Sequence, residues 1–449
     1  MRTPAPDSRP VALTIAGSDS GGGAGIQADL ATMAAHGVFG TSAITAVTAQ
    51  HTRGVESSHV LPLEEIEAQI DAVTGDFAVG AAKTGMLATT EIVQTVADRA
   101  ASFEFPLVVD PVMVATSGDR LLEPEAERAY EELLGAAALA TPNADEAEVL
   151  TDITVADEDS AREAGEAILE TGVDAVLVKG GHVPGEQVRD ILVTEDRTRL
   201  FEHPRIGTDA THGSGCTLAA AIAARLAKGD ELGIAVEGAT DFLARAVRYY
   251  YDVGEGHGAV NHLVELRNEA GRELTAEEVQ AVVDRFVERD VSALVPEVGM
   301  NVVGATPYAE SVAETAGVEG RITRTLSGVH PNRGVRFGAS SHVARFLLAA
   351  REFVPELRFA ANCRLDPAIE DALESLEWSV AEDDRTAVDA TASGAMDWDL
   401  GTVFGGRENP PEAVIDRGDT GTEATTKLVA SDPETLADRV LALDEEVSR

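Results

Sequence analysis

The sequence predicts an α/β protein, a mostly parallel sheet with helices on both faces, followed by a smaller α+β domain. Three observations predict it. Short apolar runs at 11–15, Leu107–Val109, Leu139–Ala140 and Ala175–Val178 each stop at a polar or glycine-rich loop. Helical stretches such as 26–36, 123–134 and 159–170 lie between them, and such alternation builds parallel sheets. A charged stretch, 263–275, then precedes an amphipathic helix that starts at Ala276. The expected division is a first domain over 1–265, a linker over 266–275 and a second domain over 276–449.

The run at 11–15 leads through Gly17, Asp19 and Gly21-Gly22-Gly23-Ala24-Gly25 into the helix at 26–36, which is the first half of a βαβ unit. The three later runs open onto Asp110-Pro111, Thr141-Pro142-Asn143 and Lys179-Gly180-Gly181. Ligands of such sheets gather at the carboxyl ends of the strands, where all these loops would lie. Thr211-His212-Gly213-Ser214-Gly215-Cys216-Thr217 then feeds an Ala-rich apolar helix expected from Leu218. A glycine turn entering a helix aims backbone N–H groups and the positive dipole end at one point, which suits a phosphoryl group. Cys216 stands at the lip, where that field would favour a thiolate. In the second domain Val279, Val282, Val283 and Phe286 recur at helical spacing. Helices are expected at 342–353 and at Pro433–Val447, the last with proline in its first turn.

The net charge is −43, with 17 basic against 42 acidic residues through His262 and 18 against 36 beyond it. Acidity spread this evenly repels nucleic acid and anionic lipid, which excludes those partner classes. Lysine occurs only at Lys83, Lys179, Lys228 and Lys427, against 31 arginines. The expectation is a halophilic protein, since screening at about 1 M salt acts within about 3 Å. Lysines retained in such a chain are expected to do chemistry, Lys83 and Lys179 first. Two cysteines make no disulfide framework, and no apolar run reaches the roughly 18 residues of a membrane span, so a cytoplasmic location is expected.

The blocks at 13–30, 48–54, Lys83-Thr84-Gly85-Met86, Asp110-Pro111-Val112-Met113, Thr141-Pro142-Asn143, Lys179-Gly180-Gly181-His182 and 211–217 resemble hydroxymethylpyrimidine/phosphomethylpyrimidine kinases over roughly residues 10–262. The resemblance implies a ribokinase-like fold and transfer of phosphate from ATP. The acceptors would be 4-amino-5-hydroxymethyl-2-methylpyrimidine and then its monophosphate. It places Gly17, Asp29, Gln50, Met86 and Val112 on the pyrimidine. Carboxylate and amide would answer the ring nitrogen and the exocyclic amine. Lys179, Thr208, Thr211, Gly213, Gly215 and Asn143 would hold ATP, with Asp110 and Glu146 near Mg²⁺, an ion that retains several waters. Cys216 stands where sugar kinases of this fold carry an aspartate base. His182 and His212 read equally as packed loop histidines or ligand contacts. Relatives of this fold imply a homodimer.

From Ala276 onward, Val298-Gly299-Met300-Asn301, Gly320-Arg321-Ile322, 338–345 and 415–421 resemble archaeal-type thiamine-phosphate synthase domains. Such domains join the pyrimidine diphosphate to a thiazole phosphate and release pyrophosphate. The family pattern points to Arg321 for the leaving group, whose permanent charge and fork suit pyrophosphate. It points to His342 for phosphate binding or proton movement. Ser340 and Ser341 read as helix caps, Arg333 and Arg336 as anion contacts or surface pairs, and Asn301, Asp416 and Asp419 as further contacts. The alternative reading is a pyridoxal/pyridoxine kinase with a C-terminal ligand-sensing domain.

Overall fold

The computed structural model describes residues 5, 7–113, 129–181, 183, 185–383, 400–407, 409–418 and 423–449. The chain divides into two compact units, Met1–Val264 and Glu265–Arg449.

The first unit is built from strands β1 (Val11–Ala16), β2 (Phe39–Ile44), β3 (Ala46–His51), β4 (Gly54–Val60), β5 (Val79–Thr84), β6 (Leu107–Val109), β7 (Leu139–Ala140), β8 (Ala175–Val178), β9 (Gln187–Thr194) and β10 (Thr198–Pro204). Its helices are α1 (Gly25–Ala35), α2 (Leu63–Asp76), α3 (Thr90–Ala100), α4 (Ala129–Leu134), α5 (Ala144–Thr151), α6 (Glu158–Leu169), α7 (Ser214–Ala227) and α8 (Leu232–Arg248). Eight strands form one sheet in the order β10-β9-β8-β7-β6-β5-β1-β2, while β3 and β4 pair separately. The strands from β2 to β8 run parallel, and β9 and β10 extend the sheet antiparallel. Leu13, Ile15, Ala82, Val109, Ala140 and Val176 are buried in one core, which is why these strands read as unbroken apolar runs.

The helix expected from Leu218 begins four residues earlier, at Ser214, with Gly213 as its N-cap at φ +81°. Gly215 and Cys216 therefore belong to its first turn. The apolar pattern starts late because a first turn offers free amides, not a greasy face. The helix expected at 123–134 is described only over Ala129–Leu134, and 123–128 lie outside the described residues.

The second unit contains α9 (Val264–Ala270, which starts on the last residue of the first), α10 (Arg272–Arg289), β11 (Val302–Ala305), β12 (Thr315–Val318), β13 (Ile322–Thr325), β14 (Gly328–Pro331), β15 (Val335–Phe337), α11 (Ser341–Arg351), β16 (Phe359–Arg364), α12 (Pro367–Ser375), β17 (Val380–Asp383), α13 (Gly401–Phe404), β18 (Ala413–Asp416), β19 (Thr425–Ala430) and α14 (Pro433–Val447). Its main sheet, β15-β12-β11-β16-β19-β18-β17, is antiparallel except for β17 with β18. The stretch read as a linker is largely helical. Its inward residues are polar, so no apolar period marks it: Asn268 Nδ2 donates to Glu314 at 2.6 Å, and Thr275 Oγ1 donates to the Gly271 carbonyl at 2.8 Å. Among the described residues no helix is long and apolar enough to cross a membrane.

Candidate active site

A cavity of about 590 Å³ runs along the carboxyl edge of the first sheet. Its wall follows the strand order. Gly17 comes after β1, Met86 after β5, Asp110 and Val112 after β6, Asn143 and Glu146 after β7, and Lys179 after β8. Gln50 joins from β3, and Thr208, Thr211, Gly213, Gly215 and Cys216 close the opposite wall. The fold thus gathers the expected first-domain residues with one exception.

Asp29 is that exception. It points inward from α1, is wholly buried, and does not line the cavity. Both its carboxylate oxygens accept from Lys83 Nζ at 3.0 Å, and Oδ2 accepts from Thr14 Oγ1 at 2.6 Å. The pair is an internal ion pair, not a pyrimidine contact. Burial pushes the Asp29 carboxyl up against the pull of Lys83. Burial alone would lower the Lys83 ammonium, yet the charges of Asp29 and Asp110 outweigh it and hold it above its ordinary value. Lys83 thus acts from behind the wall. A side-chain carbon at Gly85, a lining residue, would stand 3.0 Å from its Nζ.

At mid-cavity, Asp110 Oδ1 accepts from Lys179 Nζ at 2.8 Å and from Thr141 Oγ1 at 3.0 Å. Burial would lower the Lys179 ammonium, but Asp110 and Glu146 keep it well above the usual range and charged. Asn143 and Glu146 cap α5 reciprocally: Asn143 Oδ1 accepts from the Glu146 amide at 2.9 Å, and Glu146 Oε2 accepts from the Asn143 amide at 2.8 Å. Burial pushes the Glu146 carboxyl up to about 7.

The N-terminus of α7 faces this cluster. A side-chain carbon at Gly215 would stand 3.4 Å from Lys179 Nζ and 3.5 Å from Asp110 Oδ2. Among the described residues no carbonyl accepts from the Gly215 and Cys216 amides. Against the thiolate expected at Cys216, burial pushes its thiol up to about 11, more than Lys83 and the Gly25 amide restore. The dipole of one helix end does not offset that desolvation.

Asp19 is a structural centre that the sequence reading passed over. Its carboxylate accepts from the amides of Gly21 (2.7 Å), Gly23 (3.0 Å) and Ala24 (2.8 Å), and from His212 Nε2 at 3.1 Å. The glycine loop thus turns its amides onto its own aspartate. Burial would raise that carboxyl, but His212 and these amides hold it below the usual range. His212, left open between two roles, is bonded to protein and also lines the cavity; His182 lies outside the described residues. Val188, Ile206, Leu243 and Val247 line the β9–β10 end. No motif announces them, because β9, β10 and α8 carry only ordinary apolar patterns.

In the second unit Arg321 is exposed, with φ +68°, and its guanidinium donates to the Val298 carbonyl. His342 lies in the first turn of α11. Ser340, two residues before His342, stands 3.2 Å from a side-chain carbon placed at Gly317 in β12. Ser340 occupies the N-cap position of α11, but its side chain makes no capping bond. Arg333 and Arg336 pair with Glu319 at 3.5 and 2.9 Å, the surface alternative. Asn301 is an internal bridge that binds both backbone groups of Val318 at 2.9 Å. Asp416 pairs with buried Lys427 at 2.6 Å. Asp419 lies outside the described residues. Three of the four lysines are therefore held by internal carboxylates.

Residues 278–442 match the family described as thiamine-phosphate synthase ThiN. The hydroxymethylpyrimidine/phosphomethylpyrimidine kinase of Haemophilus influenzae is 48% identical over 56% of this chain and 95% of its own length. The Bacillus subtilis protein of that name is 46% identical over 57% and 96%. The Geobacter sulfurreducens thiamine biosynthesis bifunctional protein ThiED is 45% identical over 58% of this chain and 54% of its own length. Among solved structures, an ADP complex of Bacillus subtilis pyridoxal kinase superposes with a TM-score of 0.55 at 34% identity, covering 58% of this chain and 99% of that one. Residues 19–261 match the family described as phosphomethylpyrimidine kinase, and with that match spanning more than half of its length, the chain belongs to this family.

Proposed function

We propose that the first unit phosphorylates 4-amino-5-hydroxymethyl-2-methylpyrimidine and then its monophosphate from ATP. The second unit then joins the diphosphate to a thiazole phosphate, giving thiamine phosphate. The observation that carries the kinase reading is the mid-cavity arrangement: Lys179 and Asp110 stand against the unpartnered amides of Gly215 and Cys216. Positioning and charge stabilisation are most of what phosphoryl transfer requires.

The alcohol end would lie over Gly17, Gln50, Met86 and Val112, and the nucleotide would lie toward Thr208, Thr211 and the apolar β9–β10 end. Lys179 places a point charge on the terminal phosphates, and the α7 amides hold the transferring group. Burial favours the thiol form of Cys216 before the reaction. A thiol has no site for a further proton, so the alcohol proton leaves to a phosphate oxygen or to water as the new P–O bond forms, and Cys216 contributes through its first-turn amide. Asp110 and Glu146 fit Mg²⁺ held through water, since Asp110 Oδ2 faces Gly215 while Oδ1 is engaged by Lys179 and Thr141. The ion would neutralise charge on the phosphates. In the second unit, Arg321 and the α11 turn bearing His342 are the proposed anion contacts. We take the enzyme to act as a cytoplasmic homodimer at high salt.

The test supplies ATP, Mg²⁺, hydroxymethylpyrimidine and thiazole phosphate in molar KCl. Thiamine phosphate is the expected product, and Arg321→Ala should accumulate pyrimidine diphosphate instead. Pyridoxal supplied in place of the pyrimidine tests the second reading, raised by the fold's likeness to a pyridoxal kinase at 34% identity. Faster turnover of pyridoxal would replace the assignment.

A further inference from the structure

Two loops 193 residues apart in sequence meet over the cavity, and the contact between them is tighter than packing requires. The loop after β1 carries Gly17 at the alcohol end. The turn before α7 leads straight into the first-turn amides of Gly215 and Cys216, which face Lys179. Asp19 joins them, with one carboxylate accepting from three amides of its own loop and from His212 of the other. The glycines on both sides make room for this approach. A side-chain carbon at Gly23 would lie 2.5 Å from His212 Cδ2, and one at Gly213 would lie 1.8 Å from the Gly23 carbonyl oxygen. His262, also against Gly23, is pushed down to about 4 by burial and stays neutral. Asp19 lines the cavity, but its carboxylate is held by four protein donors.

We infer that Asp19 and His212 are positioning residues that set the spacing between the bound alcohol and the phosphate cradle, and so decide whether phosphate passes to the alcohol or to water. The inference rests on the kinase reading above. In productive transfer the alcohol oxygen bonds to the γ-phosphorus, the bond from that phosphorus to the ADP oxygen breaks, and the alcohol proton is released. When the loops drift apart, water takes the acceptor's place and gives ADP and inorganic phosphate. Each transfer or hydrolysis consumes one ATP, so the ratio of ADP to phosphoryl groups placed on the pyrimidine measures the registry.

The experiment compares wild type with Asp19→Asn, His212→Ala and His212→Gln, reading that ratio, kcat and the KM for ATP. Thermal unfolding is followed on each variant. Wild type should give a ratio near one. Asp19→Asn and His212→Ala should raise the uncoupled fraction by about tenfold, in line with the cost of sub-ångström misplacement. The KM for ATP should change little, and glutamine, which keeps a donor toward Asp19, should restore coupling. The double variant should leak no more than the worse single one, because both break one contact. Folded His212→Ala with a wild-type ratio overturns the inference, and so does glutamine no better than alanine. Should Asp19→Asn fail to fold, the His212 pair decides alone. A wild type that phosphorylates no alcohol defeats the kinase reading instead.

Discussion

Gly22 and Gly213 share one backbone conformation, φ +80° and +81°, but not one environment. At either, alanine in the left-handed region costs about 1–2 kcal/mol. At Gly22 nothing lies within 4 Å of the added carbon, so that strain is the whole effect. At Gly213 the carbon would meet the Gly23 carbonyl oxygen at 1.8 Å, where ordinary contact begins at 3.4 Å, so the two loops must separate by about 1.6 Å. Misplacement of about 1 Å costs roughly 10²-fold in rate. Gly22→Ala should therefore lower Tm by a few degrees and leave kcat almost untouched, while Gly213→Ala should lower kcat by at least about 10²-fold. Calorimetry and an assay of phosphorylated pyrimidine formed by both variants read the difference. Equal kcat in the two would refute the argument that the approach of these loops sets the cradle.

Lys83→Met strands the buried Asp29 carboxylate and should cost about 3–5 kcal/mol in denaturant unfolding, most of it recovered by adding Asp29→Leu. Alkylation of Cys216, followed by mass spectrometry, should be slow at neutral pH and accelerate toward about 11; fast labelling at pH 7 would contradict the burial argument. Glu146, pushed up to about 7 from 4.5, binds its proton more tightly in the folded state. That contribution favours folding below about 4.5 and is lost as pH rises through about 7, so Glu146→Gln should gain Tm on wild type across this window and hold the gain above it. With a net charge of −43, unfolding should move to higher temperature in molar KCl, and an unchanged Tm in dilute buffer would remove the halophilic reading.

Much of the first unit was legible because its central strands are buried on both faces: Leu107–Val109, Leu139–Ala140 and Ala175–Val178 coincide with the observed β6, β7 and β8. The loops that follow them reach the cavity because a parallel sheet puts every carboxyl end on one edge. What escaped was whatever depends on a partner through space. Asp29 carries the same letters whether it faces a ligand or Lys83, 54 residues away. Asp19 lies inside a glycine motif whose amides suggest an anion from outside, yet the anion is its own side chain. At Cys216 a helix end is visible in sequence, while the burial that opposes its field is not. Arg321 and His342 are paired by family pattern alone, because they come from a turn and a helix start with no shared signature in composition or period.

The most direct test is the structure of the protein with hydroxymethylpyrimidine and a non-hydrolysable ATP analogue. The account predicts the γ-phosphate on the Gly215 and Cys216 amides beside Lys179, with the hydroxymethyl oxygen in line and the ring over Gly17, Gln50 and Met86. A γ-phosphate lying away from the α7 terminus, or a pyrimidine bound outside this cavity, would contradict it.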